Sequence, residues 1–204
     1  YNENLNYGSY GDWINSNLEP TKDFSSNFLY TFLNFDQYGH RHSPVYVIFL
    51  SLFLDLGFDV DQVRLIHLHL SISLVVIFYM CLKLKFKKIN KNYLIALSLI
   101  LFLSPTFRSL SIWPDSRLPG LTFFVLTIYF FLKFKKTSQF KYTWYTCVAL
   151  IISSYISPNF SIFFPYFFFF FLKKFKLVKL ILLIIFNFLA ALPMLYYILI
   201  LDVN

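Results

Sequence analysis

The sequence is poor in cysteine, glycine and acidic residues, and these shortages exclude several kinds of protein. It contains two cysteines, five glycines and ten acidic residues among 204. Cys81 and Cys147 both lie in apolar stretches, which favours buried small side chains and argues against a disulfide framework. There is no Gly-rich phosphate loop, no Gly-x-Ser-x-Gly motif and no Cys-x-x-Cys motif. The sequence therefore gives no sign of the nucleotide, serine-hydrolase or dithiol chemistry that these motifs carry.

Apolar residues dominate the chain instead. Hydrophobic residues make up 58% of it, aromatic residues 23% and charged residues only 14%. A soluble domain of this size cannot bury so many large apolar side chains. The apolar residues occur in blocks separated by lysines, which is typical of repeated membrane crossings. The composition therefore predicts an all-α integral membrane protein.

Lysines between the apolar blocks form three short clusters. Thirteen of the eighteen cationic residues belong to them: Lys83, Lys85, Lys87, Lys88 and Lys91; Lys133, Lys135, Lys136 and Lys141; Lys173, Lys174, Lys176 and Lys179. The positive-inside rule places such clusters in cytoplasmic loops. This explains the net charge of +8 without nucleic acid, which would favour arginines and aromatic residues interleaved on one soluble face. We therefore expect the lipid bilayer, and no nucleic acid, as a partner.

The apolar blocks predict about six transmembrane helices after one polar N-terminal segment. Residues 1–63 form this non-cytoplasmic loop, with an interfacial helix at 45–57 that is too short to cross a bilayer. Residues 64–204 form the transmembrane domain, with spans at about 64–82, 93–111, 118–132, 142–157, 159–172 and 180–201. The phenylalanine run at 167–171 is expected to face lipid. Because the sequence starts in a polar stretch without methionine, we expect a fragment, truncated at both ends, that lacks an upstream membrane helix.

Acidic residues and arginines are separated from the lysine clusters in this topology. All ten acids lie on the non-cytoplasmic side, and so do the four arginines: Arg41, Arg64, Arg108 and Arg117. A guanidinium group binds phosphate through two parallel hydrogen bonds, which lysine cannot do. The arginines therefore predict a phosphate-bearing ligand at the outer surface. The alternative is that Arg117 pairs with Asp115 and Arg64 with Asp61.

The outer face also carries candidate catalytic and sugar-binding residues. Asp115 lies in the turn between two spans, as a candidate general base for an acceptor hydroxyl or a salt-bridged turn residue. His40, Arg41 and His42 are candidates for binding an anionic headgroup or a sugar. The alternatives for this tripeptide are a metal site that lacks a third ligand, and a polar loop on the membrane.

Metal dependence stays open, and the sequence indicates no certain cofactor. Asp59 and Asp61 have the Asp-x-Asp spacing with which some sugar-nucleotide transferases hold a divalent cation. Capping of the helix that follows is the competing interpretation, and the one we favour. His67 and His69 lie within the first span and are expected to pack in the interior or join a polar network rather than to catalyse.

Taken in order, these features resemble membrane glycosyltransferases of the GT-C class. The similarity is to the branch that contains protein O-mannosyltransferases and lipid A aminoarabinose transferases. It extends over most of residues 8–135 and rests on four elements: Gly11-Asp12-Trp13, His42-Ser43-Pro44-Val45-Tyr46, Gly57 with Arg64, and Ser104-Pro105 through Asp115.

The resemblance implies transfer of a sugar from a polyprenyl phosphate donor to a lipid, glycan or protein acceptor in the cell envelope. The outer arginines would then bind the donor phosphate. The family's catalytic Asp or Glu lies upstream of Gly-Asp-Trp, which implies Glu3 as the remaining candidate in this chain, with Asp12 and Asp36 as poorer substitutes. We expect a bacterial inner (plasma) membrane with the active face outside the cytoplasm. A transporter or flippase of polyprenyl-linked glycans is the alternative function, and a membrane scaffold is a third.

Overall fold

The computed structural model describes residues 9–39 and 43–200, with side chains as far as residue 194. Every regular element in that part of the chain is helical. The α-helices are α1 (Ser9–Asp12), α2 (Leu18–Ser26), α3 (Phe28–Leu33), α4 (Val45–Asp55), α5 (Val60–Lys85), α6 (Lys91–Leu99), α7 (Pro105–Ile112), α8 (Arg117–Thr137), α9 (Phe140–Ile156), α10 (Phe164–Leu172) and α11 (Leu177–Ile200). A π-helical segment, Trp13–Asn17, joins α1 to α2, and 3-10 turns occur at Phe35–Tyr38, Ile100–Leu103 and Pro158–Phe163.

Three of these helices are long and apolar enough to cross a membrane: Val60–Lys85, Arg117–Thr137 and Leu177–Met194. A fourth crossing results if Lys91–Leu103 and Pro105–Ile112, which are bent by 72°, count as one span. The described part of the chain is therefore all-helical, with three or four candidate membrane spans, where the sequence predicts six. Helix α9 has 17 residues, and Val45–Asp55 and Pro158–Leu172 are shorter apolar helices.

The bend between α6 and α7 interrupts the span predicted at 93–111. Ser104 has an extended backbone, with φ of −73° and ψ of 120°, and its hydroxyl accepts a hydrogen bond from the Phe107 N–H at 3.3 Å. Pro105 occupies the first turn of α7, where its missing N–H costs nothing, and its ring disfavours a helical residue before it. A Ser-Pro pair thus ends one helix and starts the next.

The start of α5 settles the role of one carboxylate of the Asp-x-Asp pair. The Asp59 side chain accepts from the Gln62 N–H, and the Gln62 side chain accepts from the Asp59 N–H, both at 2.8 Å. This reciprocal capping box satisfies two otherwise unpaired helix donors. The capping interpretation is confirmed for Asp59.

The segment predicted as an interfacial helix at 45–57 forms helix α4, which ends two residues earlier than predicted.

Helices α5 and α8 pack side by side and run in the same direction. Leu74 of α5 belongs to one cluster with Leu118 of α8. Further along both helices, the Cys81 thiol lies 3.5 Å from the Val125 carbonyl oxygen. The two N-terminal ends, near Asp61 and Arg117, therefore lie at one end of the pair, and lysines end both helices at the other. The separation of charge predicted from the sequence exists along these two helices.

Helix α9 returns antiparallel to α8 and approaches it closely at Gly120. The Ser153 hydroxyl donates to the Gly120 carbonyl oxygen at 2.8 Å. A Cβ atom on Gly120 would lie 2.7 Å from the Ser157 Cβ and 3.3 Å from a ring carbon of Phe160. Real Cβ atoms do not approach other carbon atoms at such a distance, so the packing of α8 against the end of α9 requires glycine.

Gly120→Ala should lower the free energy of unfolding by about 1–2 kcal/mol. Overpacking costs about 1–3 kcal/mol, and the better helix propensity of alanine offsets up to about 1 kcal/mol of it. The measurement is denaturant or thermal unfolding in detergent. Gly11→Ala is the matched control, because its nearest neighbouring atom would be 3.9 Å from the new Cβ. Equal stability of the two variants would contradict this account of Gly120.

The phenylalanine run on α10 faces the protein as well as the surroundings. Phe167 and Phe171 are buried and pack with Phe131 and Phe134 of α8. They are four residues apart, so both lie on one helix face, while Phe169 is exposed. The expectation that the whole run faces lipid is wrong for these two residues.

Candidate functional site

The candidate site lies at the N-terminal ends of α5 and α8, around the turn that joins α7 to α8. Asp115 is in this turn, and its side chain is only 7% exposed. One carboxylate oxygen accepts from the backbone N–H and the Nε–H of Arg117, and the other from Arg117 Nη2, all at 2.8 Å. The two side chains thus form the pair that the sequence offered as the alternative to catalysis. This bidentate contact fixes the guanidinium plane.

A second carboxylate reaches Arg117 from the far N-terminus of the described chain. Arg117 Nη2 also donates to Asp12, which ends α1. Unlike Asp115, the Asp12 side chain is 51% exposed, as is 52% of Arg117. Arg117 therefore links one buried carboxylate to one that solvent and ligands reach.

A π-helical segment brings Asp12 to this position. Within it, Asn17 is buried, and its side-chain amide donates to the backbone oxygens of Asp12 at 3.2 Å and Pro114 at 3.4 Å. The same amide therefore holds the end of α1 and the turn before Asp115. Single π-helical turns occur often at functional sites, because the extra residue redirects the chain.

Trp113 forms a platform for a second arginine. The guanidinium carbon of Arg64 lies 3.8 Å from the centroid of the Trp113 ring, and Tyr10 packs edge-on against the same indole at 4.8 Å. Arg64 Nη1 donates to Asp61 at 2.8 Å, as the sequence alternative proposed. The Arg64 Nε–H is buried and has no hydrogen-bond acceptor among the described residues. Stacking on an indole fixes the plane of a guanidinium group.

A buried hydrogen-bonded chain lies next to this turn and connects three helices. The Tyr46 hydroxyl of α4 lies 2.5 Å from His67 Nδ1 of α5, and His67 Nε2 lies 2.7 Å from the Leu110 carbonyl oxygen of α7. A carbonyl only accepts, so Nε2 carries the proton, Nδ1 accepts, and the Tyr46 hydroxyl donates. Burial, and then the negative charge of Asp115, hold the pKa of Tyr46 well above its ordinary value. Tyr46 is therefore a neutral donor at every physiological pH.

Tyr46→Phe should lower the free energy of unfolding by about 1–3 kcal/mol, because it leaves the buried His67 Nδ1 without its donor. Thermal unfolding in detergent measures the effect. Tyr30→Phe provides the control, since Tyr30 is 59% exposed on α3. An unchanged melting temperature for Tyr46→Phe would refute the assigned proton positions.

An apolar cavity of about 260 Å³ opens beside Tyr46. Its walls come from α4, α5, α8 and α9, and its lining includes Val45, Phe49, Leu70, Phe123 and Ile152. Such a cavity has room for a stretch of hydrocarbon, and the polar chain through Tyr46 borders it.

The structure brings together three of the residues predicted for the site: Asp115, Arg64 and Arg117. Arg108 is half-buried on α7, the helix that leads to Trp113. Glu3, His40, Arg41 and His42 lie outside the described residues, so their predicted roles stay predictions. His67 belongs to a polar network as predicted, whereas the His69 ring forms a hydrogen bond with the Leu65 carbonyl of its own helix. No group of three metal-ligating side chains occurs in the described part of the chain.

Sequence reasoning did not single out Trp113 or Tyr46 as partners of this site, and it named Asp12 only as a poorer substitute for the catalytic base. The contact between Asp12 and Arg117 joins residues 105 positions apart, and no local sequence pattern predicts it. The Gly-Asp-Trp stretch and the Pro-Val-Tyr stretch in the family resemblance were the signals available.

Comparison with known protein families, characterised proteins and solved structures found no match to this chain. The chemistry of the site and the resemblance of its motifs therefore carry the functional argument.

Proposed function

We propose that this chain belongs to a membrane glycosyltransferase that moves a sugar from a polyprenyl phosphate donor to an acceptor at the non-cytoplasmic surface. One observation supports it most. Two oriented guanidinium groups lie at one end of the α5–α8 pair, beside an apolar cavity. The Arg117 guanidinium is held between Asp12 and Asp115, and the Arg64 guanidinium stacks on Trp113. Phosphate, sugar acceptor and hydrocarbon each have a chemically matched partner there.

The arginines would bind the donor phosphate. Among the described residues, the hydrogen bond of Arg64 uses Nη1 but not Nη2, and the hydrogen bonds of Arg117 use Nε and Nη2 but not Nη1. During transfer, the bond between the sugar C1 and the phosphate oxygen breaks, and its electron pair leaves with polyprenyl phosphate. Guanidinium groups stabilise the negative charge that develops on that oxygen.

Asp12 fits the role of general base better than Asp115. The acceptor hydroxyl oxygen forms the new bond to C1, and its proton must pass to a carboxylate within hydrogen-bond reach. Both oxygens of Asp115 are occupied by Arg117, and its side chain is buried. We therefore assign Asp12 to proton transfer and Asp115 to positioning Arg117, with Glu3 as a further candidate base.

The apolar cavity beside Tyr46 would take the first isoprenoid units of the donor. The side chains that line it are hydrocarbon, apart from the Tyr46 and Thr122 hydroxyls. The Thr122 hydroxyl already donates to the Leu118 carbonyl at 2.9 Å, so its hydrogen-bond donor is satisfied without a polar ligand. A lipid-linked donor would thus place its chain among helices and its phosphate at their ends.

We further propose that the Asp12–Arg117 end is non-cytoplasmic and the lysine end cytoplasmic, in a six-crossing topology. In intact cells, an impermeant maleimide should label Ser26→Cys but not Thr137→Cys, which should react only after permeabilisation. Both positions are exposed, and the native Cys81 and Cys147 are buried. The opposite labelling pattern would reverse the orientation and move the site to the cytoplasm.

A transporter or flippase would need polar groups that line a path through the spans. The buried hydroxyls of Ser71, Thr122 and Thr127 instead donate to carbonyls of their own helices at 2.6–2.9 Å. Two buried atoms, Ser154 Oγ and Asn187 Oδ1, have no hydrogen-bond partner among the described residues, and both residues line a cavity between α9 and α11. The charged side chains of α5 and α8, in contrast, all lie within five residues of a helix end, which favours chemistry at the surface.

Incubating the reconstituted full-length gene product with a panel of polyprenyl phosphate sugars tests the proposed activity. The expected result is release of polyprenyl phosphate together with a glycosylated acceptor. Consumption of none of these donors would reject the transferase. Movement of intact donor across the vesicle membrane, without cleavage, would establish the flippase instead.

A further inference from the structure

A second cavity lies at the opposite end of α5 and α8 from the candidate site. Its volume is about 360 Å³, within the range of about 300–1,000 Å³ common for small-molecule sites. Four lysines and two tyrosines line it: Lys83, Lys87, Lys133, Lys136, Tyr79 and Tyr129. The cavity is thus strongly basic and is bordered by two hydroxyl donors.

The described residues do not neutralise the charges in this cavity. Within the described part of the chain, none of the four ammonium groups forms an ion pair, and the acids are at the other end of the helices. The Tyr129 ring lies 5.6 Å from the Lys133 ammonium nitrogen, which orders that side chain without removing its charge. Positive-inside topology explains why lysines end both helices. It does not explain why four of them surround one cavity together with tyrosines, and this arrangement fits an anion.

The walls of the cavity indicate that the anion carries hydrocarbon. Met80 and Leu84 complete the lining, and they belong to α5, one of the helices long and apolar enough to cross a membrane. Lysine stems lie along apolar surface while their ammonium groups reach the headgroup level. Basic cavities between membrane helices at such a level bind lipid headgroups.

We propose that this cavity binds the phosphate headgroup of an anionic phospholipid, with the ammonium groups and tyrosine hydroxyls around the phosphate and the acyl chains along Met80 and Leu84. The site is separate from the arginine site and does not depend on the proposed transferase activity. It would fix the depth and tilt of α5 and α8 in the bilayer.

Titration of the purified full chain in neutral detergent, followed by native mass spectrometry, tests this site. Phosphatidylglycerol should bind to saturation and phosphatidylcholine should not. Lys83→Gln with Lys133→Gln should weaken phosphatidylglycerol roughly twenty-five-fold, since each lysine near an anionic lipid surface contributes about fivefold in affinity. Lys174→Gln with Lys176→Gln removes the same charge from exposed positions outside the cavity and should change little.

Three results would overturn the proposal: equal loss in both double variants, equal binding of phosphatidylcholine, or displacement of the lipid by glycerol 3-phosphate at comparable concentration. The last would identify a soluble phosphate ester as the ligand. Melting temperatures are measured alongside. If the lysine variant melts early, Tyr79→Phe with Tyr129→Phe takes its place, and unchanged lipid affinity in that variant would also count against the site.

Discussion

Replacing Asp12 with asparagine should lower the rate of sugar transfer by about two to four orders of magnitude, the usual contribution of a general base. Asparagine keeps an oxygen acceptor for Arg117 but cannot take a proton from the acceptor hydroxyl. The contact between Asp12 and Arg117 is half-exposed, so its loss should cost the fold at most about 1 kcal/mol. The measurement is the transfer rate at saturating donor, together with the melting temperature.

Asp36→Asn is the control for this variant, because Asp36 is an exposed acid in the same N-terminal segment. The Asp115→Asn variant distinguishes the role of Asp115 from that of Asp12. It should reduce stability, since the bidentate contact with Arg117 is broken, and should weaken donor binding more than the rate of the chemical step. If Asp115→Asn abolished the rate at unchanged stability while Asp12→Asn left it intact, the base would be Asp115.

Arg117→Lys should lower kcat/KM for the polyprenyl phosphate donor by about two to three orders of magnitude, comparable to loss of one preorganised donor to a developing oxyanion. Lysine keeps the positive charge beside the buried Asp115, which limits the structural damage. It cannot reproduce the planar contacts with both carboxylates and a phosphate. The effect should appear in both kcat and KM.

Lys22→Gln serves as the control for a changed cation outside the site, since Lys22 is exposed on α2. Arg64→Lys should also impair transfer, because an ammonium group does not stack as a plane on Trp113. Wild-type kinetics in Arg117→Lys would mean that Arg117 has only a structural role, as the partner of Asp115.

Local features of this protein could be predicted from the sequence, and features that join distant segments could not. The span predicted at 118–132 is part of Arg117–Thr137, and the pairs Arg117–Asp115 and Arg64–Asp61 were proposed as alternatives to ligand binding. Both pairs join residues two or three positions apart, so helix and turn geometry alone bring them together. The Asp12–Arg117 contact depends on packing of the N-terminal segment against the helical domain, which no periodicity encodes.

Two departures of the structure from the prediction, the bend within the span predicted at 93–111 and the packing of the phenylalanine run, have physical causes that the sequence contained. Ser104-Pro105 is a strong stop-and-start signal, but the apolar run on both sides of it suggested a continuous span from 93 to 111. The break between α9 and α10, in contrast, was predicted: the 3-10 turn at Pro158–Phe163 begins at the boundary between the spans predicted at 142–157 and 159–172. The phenylalanine run has uniform composition, so hydropathy could not tell which face packs on α8, whereas the four-residue spacing of Phe167 and Phe171 agrees with a helix face.

Because of the π-helical segment Trp13–Asn17, the geometry of the site depends more on how many residues this segment contains than on which residues they are. One residue advances a helix by about 100° around its axis. A single deletion or insertion between Asp12 and Asn17 would therefore turn the Asp12 carboxylate away from Arg117, even with every side chain retained. A substitution at Ile14, which is 41% exposed, does not change the direction in which the Asp12 side chain leaves the helix. In related chains, the length of this segment would thus be under stronger selection than the composition of its outer face.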